Sequence, residues 1–239
     1  MINAIISILI YLVALSVFII IGPLFVILSF FASRYSMYRL TQFVCWAALK
    51  SFFIRVQIKG TPPVSGTYIY MFNHSSFIDV FLFGYSMKGP CTALIAKENY
   101  SYPIWGSMLK RWKAIPIERN NNKLARQSID HAQDALTNGY DVVILPEGTR
   151  TITGKLKRFK KGGFHMAYNT QTPIVPVGCM GAFEFKPKHK WTLSPRTITL
   201  NYGSPTNPDT YESLGVDGLL KQTELTIKQL SNGKFEDEE

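Results

Sequence analysis

The sequence predicts an α/β domain with a central, largely parallel sheet flanked by helices, preceded by an N-terminal hydrophobic membrane helix or helical hairpin. Two observations support the domain: from Val56 onward, short apolar strand-like runs alternate with amphipathic stretches, and no internal repeat or long linker interrupts them. Such alternation is typical of helices packed around a parallel sheet. A third observation supports the membrane segment, because residues 1–33 carry no charged side chain.

The N-terminal run from Ile5 to Phe31 is apolar except for three serines and the pair Gly22-Pro23. A straight helix of about 30 residues would be about 45 Å long, against about 30 Å of hydrocarbon in a bilayer. A kink at Gly22-Pro23 would shorten it. A buried helix pair of a soluble protein is disfavoured by the length of this uncharged run.

A second apolar stretch, Phe43 to Ile54, follows a short link that contains Arg34 and Arg39. Two geometries remain open: one spanning helix with a basic cytoplasmic flank, or two helices forming a hairpin in one leaflet. We therefore assign residues 1–58 to membrane-anchoring helices and residues 59–239 to the α/β domain with an acidic C-terminal tail.

Within the domain, periodicity and turn signals predict the elements in chain order. The predicted strands are Thr67–Phe72, Cys91–Ala96, Ala114–Glu118, Asp141–Leu145, Ile174–Val177 and Thr197–Tyr202. The predicted helices are Phe77–Met87, Tyr102–Lys110, Lys123–Thr137, Gly163–Asn169 and Glu212–Leu230. The last residues, Phe235 to Glu239, are expected to form a disordered acidic tail.

Composition limits the class of partner. A net charge of +10 and a pI of about 9.5 indicate an anionic partner: nucleic acid, acidic lipid or an acidic carrier protein. Tryptophan beside lysine in residues 110–113 and 186–191 favours the headgroup layer of an acidic membrane. No nucleic-acid recognition motif is present, so we expect no nucleic-acid partner. Three isolated cysteines and four scattered histidines predict neither a disulfide framework nor a metal site, and no cofactor is expected.

The most informative motif places His74 and Asp79 five residues apart, directly after a buried strand. If the next helix begins between them, with Ser75 or Ser76 as its N-cap, the two side chains can meet. The pair then suits general-base catalysis, because a carboxylate fixes the tautomer of an imidazole that takes a proton from a hydroxyl. The alternative is structural: Ser76 and Asp79 also have the spacing of a capping box.

Two further strand ends carry polar groups. Pro146-Glu147-Gly148-Thr149-Arg150 can bind a phosphorylated polyol through Arg150, or form a polar turn with an internal Glu–Arg pair. Five cations follow within residues 155–161, either as a solvated face or as part of an anion site. Arg119, after the strand at Ile117, is either a second phosphate ligand or a surface residue.

Taken together, these stretches resemble the glycerolipid acyltransferase family, most closely its bacterial 1-acylglycerol-3-phosphate (lysophosphatidate) acyltransferases. The resemblance rests on four ordered blocks over roughly residues 70–180: Asn73-His74 to Asp79; Lys97, Pro103, Gly106, Ile117 and Arg119; Leu145 to Arg150 with Phe159-Lys160-x-Gly162-x-Phe164; and Thr172 to Val177. Leu145 replaces the usual phenylalanine, Glu118 stands where an aspartate or a hydrophobic residue is common, and Lys113 stands where glycine is frequent.

The resemblance implies acyl transfer from a thioester, on acyl-CoA or acyl carrier protein, to the free hydroxyl of lysophosphatidate, giving phosphatidic acid. It also implies a protein of the bacterial inner membrane with its active site on the cytoplasmic side. By this resemblance His74 is the general base and Asp79 its partner. The substrate-binding residues it implies are Lys97, Arg119, Glu147, Gly148, Thr149 and Arg150. Acyltransferases for another acceptor, and a non-catalytic module that binds anionic lipid, remain the alternatives.

Overall fold

A computed structural model describes residues 2–118 and 121–238 of the chain. Its strands are β1 (Arg55–Lys59), β2 (Ile69–Phe72), β3 (Cys91–Ala96), β4 (Ile115–Ile117), β5 (Asp141–Ile144), β6 (Ile174–Met180) and β7 (Thr197–Tyr202). Its α-helices are α1 (Ile2–Ser29), α2 (Arg34–Ser51), α3 (Asp79–Ser86), α4 (Pro103–Arg111), α5 (Asn122–Thr137), α6 (Gly162–Thr170), α7 (Ala182–Phe185) and α8 (Tyr211–Ser231).

All seven strands form one sheet in the order β1-β7-β6-β2-β5-β3-β4. Every neighbouring pair is parallel except β6 and β7, so β1 and β7 run against the other five strands. The predicted fold class, an α/β domain around a largely parallel sheet, is therefore confirmed. The order also brings the carboxyl ends of β2, β5 and β3 side by side.

Helices cover both faces of the sheet, which explains why the central strands are continuously apolar. On β2, Tyr70 and Phe72 belong to the apolar cluster that contains residues of α1 to α4. Ile69 and Met71 point the other way, into the cluster formed with α5, α6 and α8. All four residues are buried. The sheet thus separates a layer that includes the N-terminal helices from a layer that does not.

The N-terminal segment forms an antiparallel helix pair. α1 is one helix across Gly22-Pro23, and it is long and apolar enough to cross a membrane. α1 packs against α2 and α4. The predicted link was too long: α2 already begins at Arg34, because the Ser33 hydroxyl caps it by accepting from the Ser36 N–H, so Arg34 and Arg39 lie within the helix.

Two local features were not expected from the sequence. β1 (Arg55–Lys59) pairs with β7 at the edge of the sheet and crosses the domain boundary placed at residue 58, which stays a prediction. Lys113 has a φ of 61°, in the left-handed region that favours glycine. The turn closes the C-terminal end of α4, where the Ala114 N–H donates to the Leu109 carbonyl.

The prediction of a disordered C-terminal tail is wrong for residues 235–238. Phe235 is 1% exposed, with the Phe159 ring on one side and the Arg158 guanidinium 4.2 Å from its centroid. Asp237 pairs with Arg158 at 2.9 Å, and Glu238 with Lys228 at 2.8 Å. Phe235 and Asp237 therefore pack against the basic run at 155–161, and Glu238 pairs with Lys228 of α8.

We expect Phe235→Ala to lower the free energy of unfolding by about 3–5 kcal/mol, the usual cost of truncating a buried phenylalanine. The measurement is thermal and chemical denaturation of the detergent-purified protein. Val64→Ala, at a site that is 80% exposed, is the matched control and should leave the transition unchanged. Equal stability of the two variants would show that the tail does not contribute to the fold.

Candidate active site

His74 and Asp79 meet at the carboxyl end of β2. Nδ1 of His74 lies 2.8 Å from Oδ2 of Asp79, and both side chains are largely buried. The expected N-cap is wrong, because α3 begins only at Asp79, after Ile78. Instead, Asp79 Oδ2 also accepts from the backbone N–H groups of Ser75 and Ser76, at 2.9 and 3.0 Å. The carboxylate thus folds the turn and contacts the imidazole at once.

This arrangement determines which nitrogen of His74 carries the proton. A carboxylate oxygen already accepting from two N–H groups is an acceptor for the ring, so Nδ1 is the donor. The lone pair of the neutral ring is then on Nε2. His74 also lines a large cavity, which is described below.

The turn after β5 holds the backbone of His74 from both sides. Oε1 of Glu147 accepts from the His74 N–H at 2.6 Å, and Oε2 accepts from the Lys157 N–H at 2.9 Å. The Thr151 N–H donates to the His74 carbonyl at 3.0 Å. Glu147 is 4% exposed, and burial raises its pKa to about 7, although the two N–H donors act in the opposite direction. Glu147 therefore joins the loop after β2 to two points of the segment between β5 and α6 at one buried position.

Asn73 joins the same region to β6. Its side-chain Oδ1 accepts from the Cys179 N–H at 2.6 Å, and its Nδ2 donates to the Cys179 carbonyl at 3.0 Å. Nδ2 also contacts the Ser75 hydroxyl at 3.2 Å. The buried amide thus replaces a pair of backbone hydrogen bonds beyond the end of β2 and positions the residue before His74.

A cavity of about 530 Å³ opens beside His74, which we call the α1–α3 cavity. Its walls are predominantly apolar and come from α1, α2, α3 and α4 and from the ends of β3 and β5. α1 contributes one side of it, including Tyr11, Phe18 and Gly22. A site of this size and lining suits a long apolar ligand with a few polar groups at one end.

The polar end of the α1–α3 cavity is cationic. Arg150 and Lys188 line it together with His74 and Thr149. Burial and then the positive charge of Arg150 lower the pKa of Lys186. Two cations in the lining favour an anionic group near His74.

The other predicted site residues occupy different positions. Gly148 has a φ of 73°, in the left-handed region that favours glycine, and a Cβ there would lie 2.8 Å from Cε of the flexible Lys160 side chain. Lys97 is exposed and pairs with Glu118 at 2.8 Å, outside the lining of the α1–α3 cavity. Arg119 lies outside the described residues. The substrate-binding roles of all six residues stay predictions.

Sequence reasoning missed three contributions to this site. The amide of Asn73 was seen only as part of a motif, and Lys188 only as part of a membrane-surface run. The cavity wall formed by α1 was not expected, because an apolar helix sequence does not say which of its faces lines a cavity. A signal existed only for Asn73, as a polar residue directly after a fully apolar strand.

The chain belongs to the acyltransferase family: the family model described as "Acyltransferase" matches residues 53–180, more than half of the chain. This range contains His74, Asp79 and the whole turn after β5. The expected family resemblance is thereby confirmed.

Three relatives of similar sequence carry the same name, 1-acyl-sn-glycerol-3-phosphate acyltransferase. The 1-acyl-sn-glycerol-3-phosphate acyltransferase of Cocos nucifera is 33% identical over 66% of this chain and 51% of its own length. That of Limnanthes alba is 31% identical over 70% and 60%, and that of Pseudomonas aeruginosa 30% identical over 68% and 63%. The chain thus spans between half and two thirds of the length of these relatives.

A solved structure shows the same fold. The 1-acyl-sn-glycerophosphate acyltransferase of Thermotoga maritima superposes with a TM-score of 0.83 over 96% of both chains, at 24% sequence identity. The likeness therefore extends over the N-terminal helices as well as the sheet.

We expect Glu147→Gln to destabilise the protein by about 1–3 kcal/mol, because the amide NH₂ would face one of the two buried backbone N–H donors. Turnover should fall with it, since the His74 backbone loses a partner. The checks are thermal denaturation and an activity assay, with Glu212→Gln, at an exposed position, as control. Wild-type stability of Glu147→Gln would contradict the bridging role.

Proposed function

We propose that the protein is a 1-acylglycerol-3-phosphate O-acyltransferase that forms phosphatidic acid from lysophosphatidate and an acyl thioester. The observation that carries this proposal is the position of the His74–Asp79 pair, at the polar end of the α1–α3 cavity and beside Arg150 and Lys188. A base, an apolar cavity and cationic side chains lie together there. A reaction between an acyl thioester and a phosphorylated alcohol requires these three features. The names of the relatives support the same substrate class.

In the proposed mechanism, Nε2 of His74 takes the proton from the free hydroxyl of the acceptor. The hydroxyl oxygen then attacks the thioester carbonyl carbon, and the carbon–sulfur bond breaks. The proton passes from the imidazolium to the departing thiolate. Asp79 keeps Nδ1 protonated and stabilises the imidazolium, which is the usual role of a carboxylate beside a catalytic histidine. No protein nucleophile is needed, because the acceptor supplies the hydroxyl.

The acceptor phosphate is proposed to bind Arg150, with Lys188 and Lys186 supplying further positive charge. Arg150 is half-buried and lines the cavity that contains His74, so an arginine fork there can orient the phosphate relative to Nε2. Lys97 is 63% exposed at its side chain and already ion-paired, which makes it a weaker candidate.

The membrane anchor is proposed to be α1 lying in one leaflet rather than crossing the bilayer as an isolated span. Ser7 accepts from the Leu193 N–H, and the Tyr11 hydroxyl donates to the Trp191 carbonyl. Near the other end, Arg111 donates to the hydroxyl and carbonyl of Ser29. These contacts are 22 residues apart, about 33 Å along a helix, so the domain contacts α1 along most of its length.

The opposite face of α1 is apolar and exposed, for example at Leu9 (57%), Ile20 (67%) and Ile27 (58%). A helix with one face on the domain and an apolar face outward suits partial insertion beside the headgroups. The same helix forms a wall of the α1–α3 cavity, so an acyl chain could pass from lipid to the site beside it. We propose that this surface faces the cytoplasmic leaflet of a bacterial inner membrane.

We expect His74→Ala to lower turnover at least about a hundredfold, the usual scale for loss of a general base. The assay measures phosphatidate formation by detergent-purified protein from lysophosphatidate with acyl-CoA or acyl carrier protein thioester. Near-normal turnover of His74→Ala would remove the proposed base. If the wild type forms no product from lysophosphatidate but acylates glycerol-3-phosphate or another lysolipid in competition, the acceptor is assigned accordingly.

We expect Arg150→Ala to raise the KM for lysophosphatidate about tenfold or more, because a charge-assisted contact to phosphate is lost. The KM for the uncharged analogue monoacylglycerol, if turned over, should change little. Arg55→Ala removes the same charge at an exposed position outside the lining of the α1–α3 cavity, and serves as the control. An unchanged KM in Arg150→Ala would make that residue structural.

A further inference from the structure

A second cavity, of about 540 Å³, lies on the other face of the sheet, and we call it the α5–α6 cavity. It is bounded by helices α5 and α6 and by the carboxyl ends of β3, β4 and β5, including Ile117, Ile129 and Ile144. Leu94 and Leu145 line both this cavity and the α1–α3 cavity. The two cavities therefore approach the same strand ends from opposite faces.

The α5–α6 cavity is positively charged. Lys123, Arg126 and Lys160 line it, and among the described lining residues there is no aspartate or glutamate. Lys123 and Arg126 are three residues apart in α5, so they lie on the same face of the helix. Lys160 extends across Gly148, the glycine of the turn that holds His74. Three positive charges beside an apolar wall favour an anionic ligand that also carries an uncharged chain.

The cationic residues next to Lys160 in the sequence form ion pairs within the protein. In the same basic run, Arg158 pairs with Asp237 and Glu224, and Lys161 pairs with Asp217 at 2.7 Å. The charges of these residues are compensated within the protein. The cavity-lining Lys160 thus differs from its neighbours, and the basic run does not act as one uniform solvated face.

The position of the cavity indicates from which side its ligand arrives. Its apolar wall, including Leu94, Ile144 and Ile129, belongs to the cluster formed with α5, α6 and α8. The exposed apolar helix α1 is part of the layer on the other face. With α1 in the membrane as proposed above, the α5–α6 cavity lies on the other face of the sheet, and its ligand reaches it from the water side.

We propose that the α5–α6 cavity binds the phosphopantetheine portion of the thioester donor, with Lys123, Arg126 and Lys160 contacting the phosphate at its end. This inference rests on the proposed function. Phosphopantetheine is a chain with amide and methyl groups that ends in phosphate, and it is common to coenzyme A and acyl carrier protein. Because Leu94 and Leu145 line both cavities, the inner end of the α5–α6 cavity lies at the strand ends that also border the cavity of His74. Donor and acceptor phosphates then occupy opposite faces of the sheet.

The test measures binding of free coenzyme A to the full-length protein in detergent by titration calorimetry, independently of turnover. In the double variant Lys123→Gln/Arg126→Gln we expect the Kd for coenzyme A to rise about tenfold or more, because contacts to phosphate are lost. The control, Lys59→Gln/Lys221→Gln, removes the same charge at exposed positions outside the cavity and should bind like the wild type. Pantetheine without phosphate should not distinguish the two double variants.

A parallel titration with lysophosphatidate separates the two phosphorylated reactants, and thermal denaturation confirms that each variant is folded. An unchanged Kd for coenzyme A in the α5 double variant overturns the proposal. Weaker binding of lysophosphatidate with unchanged binding of coenzyme A also overturns it, and assigns the cavity to the acceptor. Weaker binding of coenzyme A by the α5 double variant supports the proposed donor site. This holds even if the wild type acylates no acceptor, a result that would refute the proposed reaction but not the binding site.

Discussion

The two backbone hydrogen bonds that hold His74 from the turn after β5 are the constraint on which the rest of the site depends. Glu147 accepts the His74 N–H and Thr151 donates to its carbonyl, so the residue has little freedom to move along the chain direction. Only then does the contact with Asp79 define the ring orientation. A carboxylate buried to this degree is costly unless hydrogen-bonded, and both oxygens of Glu147 have partners.

These two hydrogen bonds of His74 form because β2 and β5 are parallel neighbours in the sheet. Parallel strands bring their carboxyl ends to one edge, where the loops after them can exchange hydrogen bonds. The opposite neighbour of β2 is β6, which supplies Cys179 to the amide of Asn73. The residues around His74 are therefore held from both sides by strands that are distant in sequence, although the motif itself spans only seven residues.

The sheet also divides the molecule into two chemically different layers. The layer with α1 has an exposed apolar face and a long apolar cavity, which suits chains that arrive from lipid. The layer with α5 and α6 has a cationic cavity of similar size without an exposed apolar helix beside it. In the basic run, Asp237 pairs with Arg158, whereas Lys160 lines the cavity.

The sequence by itself determined the fold class, most of the strands and helices, and the pairing of His74 with Asp79, because these depend on local periodicity and on groups five residues apart. The bridging by Glu147 and Asn73, the cavity wall of α1 and the docked Phe235 were decided only by tertiary structure. Each depends on which strand ends become neighbours or on which face of an element is covered. Contacts over 73 residues, as between His74 and Glu147, or 106 residues, as between Asn73 and Cys179, follow from strand order, and local patterns do not encode that order.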